Sequence, residues 1–212
     1  MSSAERSVEA LLQHAIALSN AGQPEQARAL CEQALATRPP HAAVHQLLAV
    51  LCLRAGESQA AHRHSVASLA LRPDHLPALW IAVDAALAAG ELKAAEHTLS
   101  HAVALAPDRA EAWFKLALLR QDLGDLDSAA SAWRQVLGLT PRDAQAEVNM
   151  GIVLQEAGRV DEAMRAYGRA NRIDPGCFGR IAHALAAPPS GRLWLQLDDL
   201  RRALDAAAAD AR

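Results

Sequence analysis

Aromatic side chains are scarce in this chain: four Trp, two Phe and one Tyr, 3% of 212 residues. A β-rich fold draws on aromatic and β-branched residues, so this scarcity, set beside abundant alanine, argues for closely packed helices. Charge of one sign is also lacking. A formal net charge of -3 leaves no electrostatic footprint for nucleic acid. Lysine occurs only at Lys93 and Lys115, so arginine carries the basic charge, a composition expected of a GC-rich bacterial genome. No uncharged apolar run approaches the length of a membrane span, which predicts no membrane association. The N-terminal MSSAERSVEALLQHAIALSN has acidic and polar breaks where a secretory leader needs an unbroken apolar run. A soluble cytoplasmic protein is the expectation.

Cysteine is sparse and odd in number: Cys31, Cys52 and Cys177. All three fall in helical patterns and read as small buried hydrophobes rather than disulfide partners. Catalytic signatures are missing as well. There is no G-x-x-x-x-G-K-[ST], H-E-x-x-H, G-x-S-x-G or dinucleotide fingerprint. A non-enzyme without a cofactor is expected.

What the chain does contain is a period. Glycine recurs at Gly22, Gly56, Gly90, Gly124 and Gly158, and proline at Pro39, Pro73, Pro107, Pro141 and Pro175. Alanine recurs at Ala27, Ala61, Ala95, Ala129 and Ala163; every ladder steps by 34 residues without insertion or deletion. Each rung has a physical role. The glycine closes a tight turn after a first helix in a left-handed conformation that carries no Cβ penalty. The alanine faces Ala15, Ala49, Val83, Ala117 or Gly151 on that first helix, and small residues on both sides let the axes approach. The proline ends the second helix. Asp74, Asp108 and Asp143 stand where a capping oxygen is needed for the next one. Cys31, Leu99, Trp133 and Tyr167 fill the space between repeats, and Ser65 breaks that series, making the second repeat the loosest. Trp113 and Trp133 sit at framework positions and are expected in the core.

With these ladders on Trp113-Phe114-Lys115-Leu116-Ala117 and Asn149-Met150-Gly151, the chain resembles the tetratricopeptide repeat (TPR) family. The resemblance covers residues 8–175. It implies an all-α, right-handed α-solenoid of five helix-turn-helix repeats (8–41, 42–75, 76–109, 110–143 and 144–177), with first helices lining a concave face. A truncated capping helix over 176–189 is expected next. A tail follows over 190–212. Its Arg192–Leu197 stretch alternates leucines in strand fashion, and Asp198 or Asp199 caps a last helix.

The resemblance also implies a peptide-binding groove. Its site residues are Leu12, Ile16, Gln46, Val50, Arg54, Trp80, Asp84, Glu111, Phe114, Leu118, Val148, Asn149 and Ile152. Many of these are large and apolar, and an exposed apolar stripe marks a binding surface. Trp80 and Phe114 hold equivalent positions in adjacent repeats and are expected side by side as an aromatic anchor. Glu9, Asp84, Glu111, Asp122 and Glu156 against Arg54 make the wall lean acidic. The family's chaperone-tail clamp is not implied, because Leu12, Ile16, Leu47, Pro77 and Ile81 stand where it needs lysine, arginine and asparagine.

Three functional readings follow. The first is a protein-protein adaptor or scaffold binding an apolar or amphipathic, partly basic peptide. The second is self-association or autoinhibition, with tail residues Leu193, Trp194, Leu195 and Leu197 docked in a neighbouring or the same groove, and homo-oligomers as one outcome. The third is an accessory factor that assembles a metalloenzyme or another complex. The histidines bear on that last reading: His62 and His64 share one helix, and His97 and His101 lie one turn apart. Without an acidic or cysteine ligand in step, they read as surface residues and no metal site is assigned.

Overall fold

The computed structural model describes residues 3–37, 41–186 and 197–209. Among them every regular element is helical: α1 (Ser3–Asn20), α2 (Pro24–Thr37), α3 (Ala42–Arg54), α4 (Ser58–Leu71), α5 (Leu76–Ala88) and α6 (Leu92–Leu105). These form one compact unit over residues 1–105. A second unit, 106–212, holds α7 (Ala110–Asp122), α8 (Leu126–Leu139), α9 (Ala144–Glu156), α10 (Val160–Ile173), a 3₁₀ turn (Pro175–Cys177), α11 (Phe178–Ala186) and α12 (Leu197–Ala209). The architecture is the expected all-α solenoid of stacked helix pairs. Among the described residues no helix is long and apolar enough to cross a membrane.

The three ladders do what their chemistry requires. Each turn glycine has positive φ, from 74° at Gly158 to 78° at Gly90. In the turn after α3, Gly56 N–H donates to Leu53 O and Glu57 N–H to Cys52 O, the paired bonds that close a helix on a left-handed residue. The ladder alanines are fully buried, and so are Ala15, Ala49, Val83 and Ala117 opposite them. Cys31, Leu99, Trp133 and Tyr167 are enclosed between the helices. Ser65 is enclosed too, its hydroxyl donating to His62 O at 2.8 Å, while the Ser68 hydroxyl donates to Ala42 O at 2.9 Å. The second helix pair thus satisfies its buried hydroxyls internally. All three cysteines are free, buried thiols, and burial pushes Cys31 up to about 11.

Some local expectations need correction. Asp143 caps α9 by accepting from Ala146 N–H at 3.0 Å, but His75 and Arg109 occupy the capping position of α5 and α7. The reason is a one-residue offset: Pro141-Arg142-Asp143 becomes Pro73-Asp74-His75 and Pro107-Asp108-Arg109 in the earlier repeats. Displaced from the cap, Asp74 meets His101 Nε2 at 2.9 Å. Trp113 is half-buried rather than enclosed, with its indole N–H donating to Pro107 O. His64 is not a free surface residue, since its Nδ1 lies 3.1 Å from that of His45 on α3.

The tail also differs. Residues 187–196, with Leu193, Trp194 and Leu195, lie outside the described residues. Leu197 begins a helix rather than ending a strand, so Asp198 and Asp199 fall inside its first turn. α12 packs against α10, the second helix of the last pair, and its Leu200 and Leu204 are fully buried in that unit's core with Ile181 and Leu185 of α11. Arg201 stacks over the Phe178 ring, 4.7 Å from its centroid.

Candidate functional site

Exposure divides the predicted groove residues by repeat position. Ile16 and Leu118 are exposed, at 37% and 39%, and their equivalents Val50 and Ile152 are half-buried while Asp84 is exposed. At this position every repeat keeps some side-chain exposure. One turn earlier the pattern changes. Leu12 and Val148 are buried, at 4% and 1%, and so belong to the core rather than the wall. Gln46, Trp80 and Phe114 at the equivalent places are half-buried.

The geometry of α9 explains the correction. At 100° per residue, Gln145, Asn149, Ile152 and Glu156 share one face, and Val148 sits roughly 70° around from it. That flank turns toward the helix that follows the α9–α10 pair. For Val148 this is α11, which packs on α9 and shares its core. Gln155 marks the same seam: it accepts from Tyr167 Oη at 3.1 Å and donates to Ala184 O at 2.8 Å.

Polar side chains lace successive first helices along the wall. Arg54 Nη1 donates to Ser19 Oγ at 3.4 Å in the first unit. In the second, Gln121 Nε2 donates to both Glu156 oxygens at 3.0 and 3.2 Å, and Arg180 donates to Gln145 Oε1. Asn149 accepts from Gln145 Nε2 at 3.3 Å.

Phe114 turns partly inward, its ring edge-on to Trp133 at 4.8 Å and 83°. Its remaining surface lines a cleft of about 370 Å³ with Glu111, Lys115, Val136, Thr140 and Asp143. The elements that build it are the first turns of α7, the last turn of α8 and the capping residue of α9. Two of its polar groups are already committed. Thr140 Oγ1 donates to Val136 O, and Asp143 accepts the Ala146 amide. The exposed Glu111 carboxylate remains at the rim, in the first turn of α7 where the helix dipole favours it. The cleft therefore presents the half-buried Phe114 ring, with the enclosed Val136 behind it and Glu111 and Lys115 at its edge. Sequence reasoning found Glu111 and Phe114 but not Val136 and Thr140, because it sought the wall only on first helices.

Trp80 lies in the first unit and Phe114 in the second. Among the described residues no group of three or more His, Cys, Asp or Glu is arranged to hold a metal ion.

Profiles described as tetratricopeptide repeat match residues 18–64, 82–120 and 114–176. The chain belongs to the tetratricopeptide repeat family. A comparison with curated proteins finds no match. Among solved structures, this TPR chain is similar to MamA, at 20% identity and a TM-score of 0.67, over 82% of this chain and 94% of that one. It is also similar to YrrB, described as a TPR protein with an unusual peptide-binding site, at 20% identity and a TM-score of 0.71. That match spans 88% of this chain and 99% of YrrB. At such identities the likeness speaks to the TPR fold alone.

Proposed function

We propose that this TPR protein is a non-catalytic adaptor whose second unit captures a peptide segment bearing an apolar side chain next to a basic one. The cleft at the start of α7 carries the reading. Phe114 offers an apolar face, and Glu111 offers the carboxylate that a lysine or arginine beside the inserted side chain would meet. Leu118 and Ile152 extend the apolar surface along the first helices of the same unit. A peptide laid there covers side chains that otherwise face water, each worth on the order of 1 kcal/mol when buried. In the first unit Ile16, Val50, Gln46, Trp80 and Asp84 give a comparable mixed wall.

The test is selection from a random displayed-peptide library on the full chain. The reading predicts enrichment of sequences that place Lys or Arg beside a large apolar residue. Both enrichment and binding should fall in Glu111→Lys and in Leu118→Asp, two exposed sites whose replacement leaves helicity unchanged. Enrichment of acidic sequences, or a consensus indifferent to both variants, rejects it.

A further inference from the structure

A second cleft in the unit 106–212 carries the opposite charge. It encloses about 450 Å³ between α8 and α10, with α9 beneath, and three arginines, Arg134, Arg165 and Arg169, stand around a floor of Leu137, Met150 and Leu154. Two carboxylates also face it, and both are engaged. Arg169 grips Glu147 through Nε and Nη2 at 2.6 and 2.8 Å, with Glu147 only 5% exposed. Glu162 receives Nε and Nη2 of Arg159, each at 2.8 Å.

Arg134 and Arg165 lie further off, where their charges help Arg159 hold the Glu162 carboxyl below its usual range without pairing with it. Arg134 reaches only the Ser131 hydroxyl, at 3.3 Å, and among the described residues neither arginine has a carboxylate within ion-pair distance. A guanidinium offers five N–H donors in a planar fork that matches a carboxylate. Two such forks thus border an apolar floor, while the hydrogen bonds of the local acids go to Arg169 and Arg159.

We propose that this cleft is a second binding site, for a partner-protein segment that carries an Asp or Glu beside an apolar side chain. The two halves of that ligand follow from the two halves of the cleft. An inorganic anion satisfies the arginines and leaves the half-buried Leu137 at the edge of the floor uncovered. A wholly apolar segment covers the floor and strips water from guanidiniums without replacing it. A carboxylate-apolar pair does both.

The site lies on the far side of α9 from the groove wall. Glu147, Met150 and Leu154 fall on one face of that helix, and Asn149, Ile152 and Glu156 on the other. A ligand here leaves the wall open, so one unit holds a basic-apolar segment and an acidic-apolar segment at once. That is a scaffold's arrangement. The inference is independent of the acidic cleft and stands or falls without it.

The test uses the full chain with 13C-methyl methionine, since Met150 lies in the cleft and Met164 does not line it. The probe is acetyl-Glu-Leu-Glu-Leu-amide, set against acetyl-Lys-Leu-Lys-Leu-amide and inorganic phosphate. The expected result is a saturable shift of Met150 with the acidic peptide and none with the basic one. Arg134→Gln/Arg165→Gln should weaken binding about tenfold or more, a loss of about 1.4 kcal/mol. Glu111→Lys should leave it intact. Absence of a Met150 shift, an equal shift with the basic peptide, or full binding by the double variant overturns the site. Phosphate binding as tightly as the peptide reduces it to a plain anion site and overturns the proposal as well. Should the double variant lose helicity, Arg134→Gln alone, at an exposed position, carries the same comparison.

Discussion

Gly151 lies directly under the ring of Tyr167: a Cβ built on it would stand 2.4 Å from Tyr167 Cε1 and 2.6 Å from Cδ1. Every other repeat has Ala or Val at this place, opposite a smaller or differently shaped filler. In the last repeat the filler is a fully buried tyrosine whose hydroxyl donates to Gln155. Glycine on α9 is the complement of tyrosine on α10.

Gly151→Ala is therefore destabilising despite alanine's better helix propensity. Propensity favours alanine by about 1 kcal/mol, while forcing a methyl group into a closed core costs about 1–3 kcal/mol. The ring cannot swing aside without giving up its bond to Gln155. Urea unfolding should show a lower midpoint for the variant. In a Tyr167→Leu background the same change should cost less, or turn stabilising. An equal penalty in both backgrounds would mean the ring is not the obstacle.

Two further glycines separate conformation from packing. Gly124 has φ of +77°, and no atom lies within 4 Å of the place a Cβ would take, so only backbone strain opposes a side chain there. Gly138 lies inside α8, with helical φ and equally open space. Gly124→Ala should lose about 1–2 kcal/mol, and Gly138→Ala should gain about 0.5–1 kcal/mol. Thermal melts of the two variants should move in opposite directions; a common direction would refute the assignment.

Periodicity made the fold readable because each rung of the ladders is a local requirement. Gly124 needs only its own turn, and Ala129 only its own partner helix. The wall was harder to read. Leu12, Trp80, Phe114 and Val148 hold one repeat position, yet their exposure is set by whatever packs beside them. Val148 is closed over by α11, whose sequence departs from the repeat. The arginine cleft was invisible for a similar reason: Arg134, Arg165 and Arg169 come from two helices, and only packing over α9 gathers them. In the tail the last helix was legible, but the alternating leucines hid its start at Leu197, and nothing local showed that Leu200 and Leu204, four residues apart on one face, would be buried.

His45 and His64 make stability depend on pH. Their Nδ1 atoms are 3.1 Å apart and the rings tilt by 32°, so one nitrogen donates and the other accepts while at least one ring is neutral. Burial lowers both pKa values below 6.5, and for His64 the neighbouring His45, Arg28 and Arg63 lower it further while Glu32 opposes them. The unfolded chain thus binds protons more readily than the folded one. The pair's contribution is complete above pH about 6.5 and is lost as pH falls through the lowered folded values. The urea midpoint should drop between pH 7.5 and 5.5, and His45→Gln/His64→Gln should flatten that slope. A slope unchanged by the double variant would place the dependence elsewhere.

The tail helix closes the last helix pair, and this can be tested by detaching it. A solenoid's terminal pair has an apolar face with no following repeat, and something must cover it. α12 does so against α10, with Leu200 and Leu204 fully buried and Arg201 clasped over Phe178. Leu200→Ala and Leu204→Ala should each lose about 2–5 kcal/mol locally, the cost of emptying an enclosed leucine site. Leu200→Asp/Leu204→Asp should release the helix altogether. Hydrogen exchange should then quicken in α10 and α12 and stay unchanged in α3 and α4, which belong to the other unit. The bared face of α10 would also drive concentration-dependent association in light scattering. Unchanged protection of α10 in the double aspartate variant would show that α12 is an ornament on the fold; faster exchange confined to α10 and α12 makes it the cap.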